Sequence, residues 1–226
     1  MTTTMPLPRT VTRDEWLEAR RALLAEEKAF TRARDALNAR RRELPAVPLD
    51  KAYAFETAGG SATLAQLFEG RSQLIIYHFM FLRDQDQGCP GCSFMADNVP
   101  HLAHFHARDT TFALVSRAPL AEIERFRMRM GWTLPWHSSY GSDFNYDFHA
   151  TTDEAIRPVE YNYRSRAELE ALVHTYHISG EQPGLSVFLK DGDRVLHTYS
   201  CYGRGLDLLI NTYNFLDLTP FGRGEG

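Results

Sequence analysis

Cys89 and Cys92 bound the tetrapeptide Cys89-Pro90-Gly91-Cys92, and a third cysteine, Cys201, stands apart in Tyr199-Ser200-Cys201-Tyr202-Gly203. Three cysteines in 226 residues are too few, and odd in number, for an extracellular disulfide scaffold. They point to a reducing compartment, where a C-x-x-C pair is a redox couple or half of a metal site. If Cys89 caps a helix, Pro90 falls at the first helical position, where its missing N–H costs nothing and its fixed φ suits the helix. The Cys89 sulfur then lies beside unpaired backbone N–H groups and the positive end of the helix dipole, which favours thiolate over thiol. Cys92, one turn in, is placed to close a disulfide behind it. Cys89 is therefore expected to be the nucleophile and Cys92 the resolving thiol, with Asp84 and Asp86 opposing the thiolate by their charge.

Two further residues are candidates for supporting this chemistry. Arg117, in Ser116-Arg117-Ala118-Pro119, follows a predicted parallel strand at the end where open sheets gather their sites. It reads either as a counter-charge for the thiolate or as a surface arginine. Pro183 precedes a predicted strand, where it reads as a cis-proline opposite the dithiol. It reads equally as an ordinary loop proline, and its isomer is open. A zinc site needs four ligands, and there is no second C-x-x-C. His101, His104 and His106 do not share one helix face. No metal and no cofactor are expected, although His78, close in sequence to the dithiol loop, keeps a copper-binding alternative in view. Cys201 reads as an inert buried thiol.

The elements that must position the dithiol follow from pattern. Thr12-Arg13-Asp14-Glu15 is a capping box, and Trp16, Leu23, Phe30, Leu37 and Leu44 recur every seven residues until Pro45 and Pro48. This predicts a helix of about thirty residues, roughly 45 Å long, with a narrow apolar stripe. Leu74 to Phe79 is a continuous apolar run, the signature of a strand buried on both faces. Thr111 to Ser116 is a second strand, after a helix opening at Pro90 and before a helix over Leu120 to Met130. Strand, helix, strand, helix implies a parallel crossover. Leu185 to Leu189 and Val195 to Tyr199 flank a polar turn and predict an antiparallel hairpin, with Gly205 to Leu216 closing as a helix.

This order predicts an α/β, thioredoxin-like fold, a central mixed sheet flanked by helices. It divides into an N-terminal helical extension over residues 1–48 and a thioredoxin-like domain over 49–226. The domain carries a long aromatic-rich insertion at about 131–183. The insertion holds Trp132, Trp136, Tyr140, Phe144, Tyr146, Phe148, Tyr161 and Tyr163, and reads as a flap over the dithiol rather than a ligand box.

A net charge of −4 with pI near 6.1 gives no general electrostatic reason to bind nucleic acid. The N-terminus lacks a secretory pattern, and no apolar run approaches the roughly 20 residues of a membrane helix. A cytoplasmic protein with neither nucleic-acid nor membrane partners is expected. The excess length of the first helix predicts a homodimer through it.

With these residues assembled, the chain resembles a bacterial thioredoxin-like family of unknown function, family 899, whose members are described as predicted dithiol-disulfide oxidoreductases. The likeness runs from Trp16 to Arg223. It rests on G-C-P-G-C-S-F (Gly88 to Phe94), V-S-R-A-P-L (Val115 to Leu120), G-S-D-F-N-Y-D-F (Gly141 to Phe148) and H-T-Y-S with G-L-D-L-L (His197 to Leu209). Two positions depart from it. Met95 stands where relatives carry an aromatic, and Cys201 where a threonine is common; neither disturbs Cys89 or Cys92.

The resemblance implies the fold and a dithiol activity, with a protein or small-molecule disulfide as substrate and a reducing partner to recycle it, both unidentified. Two alternatives stand beside a thiol-disulfide oxidoreductase. One is a peroxiredoxin-like thiol peroxidase, disfavoured because Asp86 occupies the position where that class carries a hydroxyl. The other is a non-catalytic copper- or thiol-binding module.

Overall fold

The computed structural model describes residues 7–82 and 87–224. The chain divides by compactness into two units, one spanning Ala46–Asn211 and one formed by Met1–Pro45 with Thr212–Gly226.

The larger unit is built on an eight-stranded mixed sheet. In chain order its strands are β1 (Val47–Pro48), β2 (Ala54–Thr57), β3 (Gly60–Thr63), β4 (Gln73–His78), β5 (Thr110–Ser116), β6 (Trp136–Ser138), β7 (Gly184–Asp191) and β8 (Arg194–Tyr202). They lie in the order β1-β8-β7-β4-β5-β6-β2-β3. β4, β5 and β6 are parallel; the other neighbours are antiparallel. The helices are α1 (Arg13–Arg42), α2 (Pro90–Asp97), α3 (Ala103–His106), α4 (Leu120–Met130), α5 (Phe144–Asp147), α6 (Arg166–Ala171) and α7 (Asn211–Leu216). The run β4-α2-β5-α4 followed by the β7-β8 hairpin is a thioredoxin-like arrangement, as the sequence pattern predicts.

β4 and β5 sit at the centre because they have apolar residues for both sheet faces, and all of β5 is buried. Successive side chains of a strand point to opposite faces. Leu74, Ile76 and His78 face one way, into a core with Phe55, Phe68, Val115, Phe144, Phe148 and Phe188. Ile75 and Tyr77 face the other, and register partners share a face. Trp136, Leu114, Tyr77, Leu185 and Cys201 therefore form one row across β6, β5, β4, β7 and β8.

The insertion departs from its sequence reading in two ways. Trp136 to Ser138 is a strand of the central sheet, paired in parallel with Leu114 to Ser116, rather than part of a flap. Phe144 and Phe148 stack against His78, on the face that Tyr77 does not share. The closing helix is also broken. A 3-10 helix over Gly203–Leu209 ends at Ile210, whose extended backbone (φ −90°, ψ 93°) separates it from α7.

In the smaller unit, α1 begins at the expected capping box. The Glu15 N–H donates to the Thr12 side chain at 3.3 Å, and Glu15 accepts from the Thr12 N–H at 2.9 Å. Thirty residues of helix include none that is buried, and Trp16, Leu23, Phe30 and Leu37 are exposed along the stripe. No helix of the described residues is long and apolar enough to cross a membrane.

The exposed stripe predicts self-association. Light scattering should return about twice the chain mass of 25.8 kDa, and Leu23→Glu with Phe30→Glu should return it to the single-chain value. A single-chain mass for the unaltered protein would remove the expectation.

Candidate functional site: the Cys89–Cys92 dithiol

Between β4 and α2 the chain makes a short antiparallel ladder, Phe81 opposite Gly88, that returns it to the sheet's carboxyl end. The Cys89 N–H donates to the Met80 carbonyl at 3.0 Å and closes this excursion. A Cβ at Gly88 would come within 2.7 Å of the Phe79 ring and 2.8 Å of the Phe126 ring, so only glycine allows the chain to pass there. Phe79 is itself held firmly. Its N–H donates to the Val115 carbonyl at 2.9 Å, and its carbonyl accepts from Ser116 Oγ at 2.7 Å. Ser116 Oγ in turn accepts from the Trp136 indole N–H at 2.9 Å. The insertion's strand thus fixes the segment from which the dithiol starts.

Cys89 is the N-cap of α2 and Pro90 its first residue, as predicted. Cys89 is half-buried and Cys92 buried, and all three cysteines are thiols rather than disulfides. The neighbouring Cys92 thiol and the backbone N–H groups of Cys92 and Gly91 pull Cys89 down to about 6, against the opposing effect of burial. Each group that lowers Cys89 belongs to the first turn of α2. Cys92 is pushed well above the ordinary thiol range by the neighbouring Cys89 and by burial, with the Tyr77 hydroxyl acting against the rise. The Met80 N–H donates to its sulfur at 3.4 Å.

The other candidates are placed as follows. Asp84 and Asp86 lie outside the described residues. Arg117 is held by Glu181, Nε to Oε1 at 3.1 Å, and by the Tyr146 hydroxyl, over whose ring it also lies. The second Glu181 oxygen accepts from Thr151 at 2.8 Å. Arg117 is thus committed to an ion pair with the insertion and is not among the groups acting on Cys89.

The bond before Pro183 is trans, as are all those of the described residues. The Pro183 carbonyl accepts from the Tyr161 hydroxyl at 2.8 Å, and the next residue, Gly184, pairs with His78. His78 faces away from the dithiol. Its Nε2 lies 2.9 Å from Ser186 Oγ, and burial depresses it to about 3. Adjacent residues of one strand cannot serve one small site, so a copper site combining His78 with the cysteines is not assembled. Among the described residues no three His, Cys, Asp or Glu side chains are arranged to hold a metal ion. Cys201 shares the Tyr77 face but lies two strands away, roughly 10 Å by strand spacing.

Tyr77 was not singled out in the sequence. The signal was a hydroxyl in an otherwise apolar buried run, since a buried tyrosine needs a partner for its O–H.

Alkylation by iodoacetamide should reflect the asymmetry of the pair. Only thiolate reacts, so the rate at Cys89 should fall about tenfold per pH unit below 6 and level off above it, while Cys92 stays unmodified in the folded protein. A rate still climbing steeply at pH 8, as for an ordinary thiol with pKa about 8.5, would contradict activation by the helix start.

Among solved structures, the chain is similar to a Cys-to-Ser mutant of Xylella fastidiosa PrxQ, with 14% identity over 72% of this chain and 88% of that one at a TM-score of 0.45. It is also similar to the peroxidoxin BcpB from Mycobacterium tuberculosis, with 12% identity over 75% and 95% of the two chains at 0.47. A third similar structure is a putative protein disulfide isomerase from Bacteroides thetaiotaomicron, with 14% identity over 76% and 91% at 0.42. None of the curated proteins matches the sequence. A family model covers residues 5–226, nearly the whole chain, and the protein belongs to that family, described as "Bacterial protein of unknown function (DUF899)".

Proposed function

We propose that the protein is a thiol-disulfide oxidoreductase in which Cys89 attacks and Cys92 resolves. The observation that carries this reading is the unequal pair, a half-exposed, acidic Cys89 at a helix start and a buried, weakly acidic Cys92 one turn behind it. In the first step the Cys89 thiolate forms a bond to one sulfur of a substrate disulfide R–S–S–R′. The substrate S–S bond breaks, and R′–S⁻ leaves with the electron pair and takes a proton from solvent. In the second step Cys92 attacks Cys89, releasing R–S⁻ and leaving the protein disulfide. The substrate is reduced to two thiols while the protein dithiol is oxidised, so a separate dithiol reductant must recycle it.

The half-exposed sulfur also fits attack on a peroxide, but the buried second thiol one helical turn away supplies the resolving partner that exchange with a protein or small-molecule disulfide uses.

Replacing each cysteine tests the assignment. Cys92→Ser should accumulate mixed disulfides on Cys89 when exposed to insulin or oxidised glutathione, because the attacker survives without its resolver. Cys89→Ser should trap nothing and abolish insulin reduction, and Cys201→Ser should leave both readouts within about twofold of the unaltered protein. Equal inertness of the two motif variants, with a wild-type pair that cannot be cycled between dithiol and disulfide, would remove the enzyme reading.

A further inference from the structure

Closing the protein disulfide requires the Cys92 sulfur as a thiolate, and Cys92 is only 2% exposed, so charge gathering there is poorly reached by water. The protein must supply the donor. One is in place: the Met80 N–H donates to the Cys92 sulfur at 3.4 Å. That N–H belongs to the peptide unit joining Phe79 to Met80. The oxygen of the same unit, the Phe79 carbonyl, accepts from Ser116 Oγ at 2.7 Å, and Ser116 Oγ accepts in turn from the Trp136 indole N–H at 2.9 Å.

The direction of this chain is fixed by the chemistry of its members. An indole N–H can only donate and a carbonyl can only accept, so the Ser116 hydrogen is committed to the Phe79 oxygen. Donation to the oxygen of a planar, conjugated amide draws electron density from its nitrogen, and the N–H at the other end becomes a stronger donor.

We propose that Ser116, oriented by Trp136, is the positioning residue for resolution: through the Phe79–Met80 peptide it fixes and polarises the N–H that holds the Cys92 sulfur as that sulfur attacks Cys89. This rests on the oxidoreductase reading and goes further, to two residues outside the motif. Ser116, Trp136 and Phe79 are all buried, so water does not compete for the relay. The sheet imposes their adjacency. Ser116 lies two residues beyond Leu114 on β5, hence on the same face, and Leu114 is the register partner of Trp136. The Phe79 N–H donates to the Val115 carbonyl at 2.9 Å, and the Phe79 ring packs on the Trp136 ring with centroids 4.3 Å apart. On its other side Met80 accepts from the Cys89 N–H at 3.0 Å, so the two peptide groups of Met80 hold one cysteine each. The titratable side chains acting on Cys92 are Cys89 and Tyr77, and neither belongs to the relay.

The step balances without any further reactant. The Cys92 S–H bond breaks, a Cys92–Cys89 S–S bond forms, and the Cys89–S–R bond breaks. R–S⁻ leaves with the electron pair, and the proton lost by Cys92 ends on that thiolate or in the buffer. Ser116, Trp136 and the Met80 amide neither gain nor lose a proton. Their donors already point the right way, and the bond to sulfur strengthens as charge gathers there.

Reaction of the reduced protein with dithionitrobenzoate, in a Cys201→Ser background, reads attack and resolution separately. One nitrothiobenzoate leaves when Cys89 attacks, and a second when Cys92 closes the disulfide. Ser116→Ala should leave the first release within about twofold, slow the second about threefold or more, and move the pH midpoint of the second upward. Benzothienylalanine in place of Trp136 has the shape of the indole without its N–H. It should slow the second release by about twofold and move its midpoint the same way.

A Ser116→Ala protein whose second release keeps the unaltered rate and pH midpoint overturns the proposal and leaves the dithiol reading intact. So does one in which both releases slow together, the mark of a loosened site rather than of a lost donor. If Ser116→Ala fails to fold, the benzothienylalanine protein decides, and an unchanged second release overturns the proposal. An unaltered protein that gives one release only, or holds two mixed disulfides without closing its own, removes the oxidoreductase reading and this role with it.

Discussion

The site depends on two sulfurs set one helical turn apart, Cys89 capping α2 and Cys92 inside its first turn. Each acts on the other, so that Cys89 is lowered and Cys92 raised. Such coupling needs both sulfurs within one turn of helix, one half-exposed and one enclosed. The proline at the first helical position supplies the turn without leaving an orphan donor, and the close passage of Gly88 under Phe79 and Phe126 delivers the chain to it. A side chain at position 88 would meet both rings, so the start of α2 depends on backbone packing a residue upstream.

β4 divides the interior into two environments. Tyr77 and His78 are neighbours in sequence, yet one lies in the row of Leu114 and Leu185 while the other is buried among phenylalanines, bonded to Ser186. Their alternation explains why a histidine so close in sequence to the Cys89–Cys92 pair does not face it. The imidazole is neutral because a cation there would lose its hydration without a compensating anion. Ser186 also contacts Ser200 at 2.9 Å, and Ser200 lies 2.8 Å from His197, so this face carries its own polar chain across β7 and β8.

Local signals in the sequence were strong enough to locate the capping box of α1, the helix start at Cys89-Pro90, the limits of α4 and the strands of the core. In each of these the decisive interaction is either within a few residues or written as periodic hydrophobicity. The readings that changed rest on partners far apart in the chain. Trp136 to Ser138 is too short to show a period and becomes a strand only because Leu114 to Ser116 offers it an edge. Arg117 finds its counter-charge in Glu181, 64 residues on, which no spacing rule couples to it. Tyr77 was hidden for a different reason. A strand buried on both faces has no polar side against which alternation can be seen.

The insertion's bearing on the dithiol follows from two bonds made by one side chain. The Tyr161 hydroxyl donates to the Pro183 carbonyl at 2.8 Å and accepts from the Gly203 N–H at 3.1 Å, tying together the entry to β7 and the exit from β8. Between those points Gly184 faces Tyr202 so closely that a Cβ would meet its ring at 2.7 Å. The other end of the same loop is held by Glu181 through Arg117 and Thr151. Residues 181–184 are thus restrained from both sides, and they begin the strand that lies directly beside Tyr77. The aromatic and charged residues of the insertion act as a frame: they fix β7 against β4, the strand from whose end the chain leaves for Cys89.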